Sequence, residues 1–153
     1  MNELVVLLDD TRKASRVFLK GIDPDMVVYK ESGWRTRDII GHLTDWDIVA
    51  VQGLNAYMQG EVYLIPDYSG FDAFNHPKAQ ARWTQPVDAI FAEWEANHMA
   101  LKDAVRALPA DKLGEIIRLP WHEDGSLRVM IRIMAGHEHE HVEDIVRAAR
   151  EAK

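Results

Sequence analysis

Apolar side chains return every three or four positions over four stretches of the chain, and this spacing predicts four long amphipathic helices. In the first, residues 3 to 20, Leu4, Leu7, Leu8, Ala14, Val17 and Phe18 alternate with Asp9, Asp10, Arg12 and Lys13. Gly21 and the pair Asp23-Pro24 end it. The second, residues 35 to 59, carries Ile39, Leu43, Trp46, Ala50, Leu54 and Met58 on one face. The third begins at Pro86 and stops before Pro109, with Ile90, Phe91, Trp94, His98, Leu101, Val105 and Leu108 in one stripe. For the fourth, Ser126 is placed to cap a run from Leu127 to about Glu151 whose inner face is Leu127, Met130, Ile131, Met134, Val142, Ile145 and Ala149.

The segments between are less regular. Val27-Val28-Tyr29 fits a short extended piece or a turn, and residues 111 to 125 fit a helical turn followed by the loop LPWHEDG. Residues 60 to 84 mix prolines, glycines and aromatics with no sustained period, which predicts a long connection without regular structure. Its Tyr63, Tyr68, Phe71 and Phe74 predict a packed cover, one wall of a cavity in which Trp83 and Trp121 could share, although bundle core or dimer interface is the plainer use of either indole. Four helices and no strand-like alternation make an all-α, up-and-down four-helix bundle, a single domain over residues 1 to 153.

Composition narrows the chemistry. There is no cysteine, so disulfides, cysteine nucleophiles and cysteine-held clusters are excluded. The opening residues lack an apolar run of signal or membrane-spanning length, so the expected location is the cytoplasm, with no membrane partner. A formal net charge of -7 without a Lys/Arg-rich run leads to the expectation of no nucleic-acid partner.

The stretch GHEHEHVEDI, residues 136 to 145, concentrates three histidines. His137 and His141 are four apart and fall within the inner stripe of the fourth helix, whereas His139 lies about 200° from His137 and faces out. On the second helix, His42 follows Ile39 by three and precedes Trp46 by four, directly after Gly41. An inward histidine on one helix and an inward pair on another can converge on one divalent ion, and three nitrogens leave positions open for water. Each has a plainer use as a hydrogen-bonded core residue; His98 is weighed as a fourth ligand but is more simply structural, and His76 and His122 fall in loops.

His137-Glu138-His139-Glu140-His141 also satisfies the metalloprotease pattern HExxH. Only residues 142 to 153 follow, too few for a separated third ligand and a substrate-binding framework, so a peptidase is disfavoured.

With GWRTRDIIGHLTDWD at residues 33 to 47 and GHEHEHVEDI at 136 to 145, the chain resembles the DinB/YfiT-like superfamily of small metal-binding four-helix proteins over nearly its whole length. Trp34 and His42 match the family's tryptophan before helix two and the histidine within it, and His137 and His141 match its two ligands spaced by four. Relatives often cap helix two with Ser or Thr after the tryptophan; here Arg35 stands there, which leaves Thr36 or water to cap. The resemblance implies a metal site, homodimers in many members, and activities that include thiol S-transfer with low-molecular-weight thiols, maleylpyruvate isomerisation and hydrolysis.

The expectation is therefore a metal-dependent enzyme acting on a small organic substrate, foremost a hydrolase using activated water. A thiol S-transferase with a low-molecular-weight thiol cosubstrate and a non-catalytic ligand-binding bundle are the alternatives. The metal is expected to be zinc, with nickel or iron able to use the same ligands. Asp45, three residues after His42, is the candidate catalytic proton acceptor or partner of a ligand histidine; an exposed acid at the edge of the stripe is equally consistent. Asp38 is accounted for by its place in the first turn of the second helix, and Glu138 and Asp144 are read as ordinary solvated acids.

Overall fold

The computed structural model describes residues 2–153. Five α-helices run Glu3–Leu19 (α1), Thr36–Met58 (α2), Phe71–Arg82 (α3), Val87–Ala107 (α4) and Leu127–Glu151 (α5). The bundle is formed by α1, α2, α4 and α5: α2 lies chiefly against α4, and α1 against α5. Among the described residues no helix is long and apolar enough to cross a membrane.

Local chemistry sets the ends of these helices. The Asn2 side chain accepts from the Leu4 N–H (3.0 Å) to start α1, and Ser126 Oγ accepts from the Val129 N–H (3.1 Å) to start α5. At α2 the expectation that Thr36 or water would cap is corrected. The Asp38 carboxylate reaches back to the Arg35 N–H (2.9 Å) and is itself held by the Arg35 guanidinium, so the acid three residues into the helix does the capping.

Two antiparallel ribbons fill gaps left by the helices. The first pairs Val27–Tyr29 (β1) with Trp34–Arg35 (β2), with Tyr29 opposite Trp34; the turn between them includes Gly33 at φ +74°, a left-handed position that suits glycine. The second pairs Ile116–Arg118 (β3) with Asp124–Ser126 (β4), beyond a short 3-10 turn at Ala110–Lys112. The first falls on Val27-Val28-Tyr29, where an extended piece is one of the two expected readings; the second replaces part of the expected helical turn and loop.

The connection after α2 is not irregular throughout: its second half is α3. Pro77 lies inside this helix, where it removes one N–H from the ladder, and of the twelve residues only Ala79 is fully buried. With so narrow a buried face and an internal proline, the helical period is masked. Tyr63, Tyr68 and Phe74 do pack against the core as a cover, and Ile65 N–H is tied to the Pro120 carbonyl at 2.8 Å.

The core divides into two apolar groups. One joins Leu4, Leu8, Trp46, Leu54, Leu101, Val105, Met130 and Met134; the other joins Trp34, Ile39, Leu43, Ile90, Trp94 and Ile145.

Candidate metal centre

The inward phases of α2 and α5 carry three imidazoles to one point. His42 Nε2 lies 2.9 Å from His137 Nε2, and His141 Nε2 lies 3.0 Å from His137 Nε2. Gly41 lets α2 come close at this place: a Cβ there would stand 2.7 Å from Arg82 Cδ, which crosses from the end of α3.

The charge state follows from crowding and burial. Burial first, then the neighbouring histidines, lowers His42 to about 2; burial and then His141 lower His137 to about 3. His141 is also lowered, mainly by burial, with Asp144 and Glu140 pulling the other way. All three rings are therefore neutral at pH 7, the form that binds metals.

The tautomer of His141 follows from its partners. Tyr29 Oη donates its single proton to Asp144 Oδ2 at 2.6 Å, so its lone pair faces His141 Nδ1 at 2.7 Å. His141 must then carry its proton on Nδ1, which leaves the Nε2 lone pair turned to the shared point. Burial, followed by the bond to Asp144, raises the Tyr29 phenol, so it stays protonated. Asp144 is thus not the plain surface acid expected; the β1–β2 ribbon brings Tyr29 against α5 and gives it a partner.

These distances suit an ion. Two nitrogens each about 2.0–2.1 Å from a common cation stand roughly 2.9–3.3 Å apart for angles between square and tetrahedral. Neutral imidazole lone pairs fit zinc and other first-row divalent metals equally.

The other predicted residues are placed as follows. Asp45 is buried, but its Oδ1 accepts from Arg82 Nη2 at 2.7 Å, and it does not line the cavity beside the histidines. Its expected part as proton acceptor is therefore not supported by its position: Arg82, also paired with Glu93, occupies it. His139 faces outward, 3.3 Å from Glu143. His76 is on α3 instead of in a loop, and it lines the cavity.

A cavity of about 510 Å³ opens over the histidines. Its walls are largely aromatic, with Tyr29, Trp34, Trp46, Phe71 and Trp121 around the three imidazoles. Residues of α3 form one side, in keeping with the expectation for the 60 to 84 segment, while Trp83 stays exposed at the surface. Asn75 was not foreseen: its Oδ1 accepts from Trp46 Nε1 at 2.9 Å, and its contact with His42 opposes that ring's lowered pKa.

A second candidate metal-binding cluster, Asp47, His98 and Glu138, is wholly buried. Glu138, expected at the surface, takes a two-point ion pair from Arg12 (2.9 and 2.8 Å) and a hydrogen bond from Ser15 (2.7 Å). The neighbouring position to His137 faces α1, and α1 covers what would otherwise be a solvated side of α5. Arg12 Nη2 is also 3.6 Å from Asp47 Oδ2, so a guanidinium already provides the positive charge there. Among the described residues, no lysine or arginine lines the cavity over the three-histidine cluster.

A family model described as the DinB superfamily matches residues 7–145. An uncharacterised protein from Escherichia coli UTI89 has a similar solved structure, with a TM-score of 0.79 at 14% identity over 98% of this chain and 92% of that one. So does the colibactin self-resistance protein ClbS in complex with double-stranded DNA, with a TM-score of 0.78 at 12% identity over 97% and 94%. No curated protein matches the sequence. The ClbS complex corrects the exclusion of nucleic acid drawn from net charge. A protein of this fold has been solved on duplex DNA, and a charge of -7 is a sum over the surface that does not forbid local phosphate contacts.

Proposed function

The chain belongs to the DinB superfamily, and from that premise we propose that it is a metal-dependent enzyme, foremost a hydrolase of a small organic substrate. The observation that carries this reading is the meeting of three neutral Nε2 atoms at 2.9–3.0 Å on the floor of an apolar cavity. His42, His137 and His141 would hold the ion, zinc being the first candidate. A divalent metal bound there would supply Lewis acidity, lowering the pKa of water or of a thiol.

The chain's own groups do the rest. Tyr29 and Asp144 fix the proton on His141 Nδ1 and so keep Nε2 directed inward. Trp34, with its ring centroid 5.2 Å from that of His42, limits the rotation of that ring and shields it from bulk water. Trp46 and Asn75, bonded to each other, present a fixed polar edge in a largely aromatic wall. Thiol transfer begins from the same donors, and the choice between the two is experimental.

The test is turnover of a panel of neutral aryl esters and amides by zinc-loaded protein in ¹⁸O-labelled water. The reading predicts zinc-dependent cleavage with one labelled oxygen in the acid product, lost in His137→Ala. No cleavage in water, with product formed only when a low-molecular-weight thiol is added, would replace hydrolysis by transfer.

A further inference from the structure

We infer that the part of the substrate lying beyond the metal's reach is a flat, apolar, typically aromatic group without negative charge. This rests on the reading of the three histidines as the reacting end of the cavity, and deepens it by naming what fills the remainder.

Three observations on the walls carry it. First, no lysine or arginine lines the cavity, whereas two carboxylates, Asp72 and Glu123, do, both on exposed residues at its edge. The arginines nearby are engaged elsewhere: Arg82 is held by Asp45 and Glu93, and Arg147 by Asp144. An anionic group away from the histidines would lose its hydration and meet two like charges, with no cation to compensate.

Second, the aromatic rings stand edge-on and tilted to one another around the space, as where Trp46 meets Trp121 at 5.9 Å and Phe71 at 5.6 Å between centroids. A ring face turned to the space is negative and accepts a neutral or cationic group more readily than an anion. Third, Phe71 and Ile133 line the cavity while 54% and 42% exposed. Apolar surface of this size at a cavity mouth is what an apolar guest would cover.

Together these set a selection rule. A substrate or cosubstrate that bears carboxylates remote from its reacting atom is disfavoured, and one bearing an aryl, alkyl or ammonium group there is admitted. Peptide-like thiols with several free carboxylates fall in the first class.

The experiment uses the full chain and three probes that differ in one remote substituent: benzyl alcohol, 4-(aminomethyl)benzyl alcohol and 4-(hydroxymethyl)benzoate. Binding is followed by the emission of the cavity tryptophans, in metal-free and in zinc-loaded protein. The neutral and ammonium probes are expected to bind at least tenfold more tightly than the carboxylate in both forms. Asp72→Asn combined with Glu123→Gln, which removes both charges while the amide oxygen introduced at position 123 can still accept from Trp121 Nε1, is expected to shrink that preference at least threefold. Equal or tighter binding of the carboxylate, no binding of any probe, or an unchanged preference in the double variant would overturn the inference. Failure of zinc to bind at all would instead remove the proposed enzyme reading, and the order of the probes in metal-free protein would still decide this one.

Discussion

Tyr29 gives its one proton to Asp144 and accepts the Nδ1 proton of His141. Tyr29→Phe therefore removes the group that orients His141 without removing a ligand. Zinc affinity is expected to fall about ten- to a hundredfold, measured by competition with a chelator, with little change in thermal stability. At this scale the histidines were legible because helical period fixes which side chains share a face: 39, 42, 43 and 46 on one helix, and 134, 137, 141 and 145 on the other. Tyr29 and Asn75 were not. They arrive from a three-residue strand and from α3, whose positions depend on what they pack against and not on a repeat in the sequence. Asp45 shows the opposite error, since phase alone put it near His42 and could not reveal that Arg82, 37 residues on, would claim it.

A buried polar join links α1 to α5, in addition to the exposed pairing of Glu3 with Arg128. Arg12 is 1% exposed, pairs with Glu138 at two points, donates to the Trp94 carbonyl at 3.0 Å and lies 3.7 Å over the Trp94 ring. Arg12→Leu leaves a buried carboxylate without its counter-ion and is expected to cost about 3–5 kcal/mol in chemical denaturation. Arg12→Leu together with Glu138→Leu removes both charges and should recover most of that loss. Because Glu138 adjoins His137, the same join holds the rotation of α5 about its axis. The four long helices were legible from amphipathic period and end signals, and their observed limits differ from expectation by no more than one residue. The helix α3 was hidden by Pro77, and the Arg12–Glu138 pair by its separation of 126 positions, which no local pattern reports.

Across the whole molecule, two buried groups give stability a pH dependence separate from the metal centre. Burial, partly opposed by Arg12 and reinforced by Glu138, raises Asp47 from 3.8 to about 8. Its contribution is full below the unfolded value and is lost as pH rises towards 8. Burial, helped by Arg12 and opposed by Glu138, lowers His98 from 6.5 to about 4, so its contribution is present above 6.5 and lost as pH falls through 4. Between pH 6.5 and 8 only the Asp47 effect operates, and Tm is expected to decline over that interval. Asp47→Asn, which resembles the protonated acid, should flatten the decline and stabilise the protein at pH 8 by on the order of 1–3 kcal/mol.

The central claim is that α2 and α5 together enclose one cation, and the most direct test is the zinc content per chain after equilibrium dialysis. One tightly held zinc is predicted for the unchanged chain and for His139→Ala, and none for His42→Ala, His137→Ala or His141→Ala, each confirmed as folded by its helical circular dichroism. A folded His137→Ala protein that keeps the full zinc content would contradict the account.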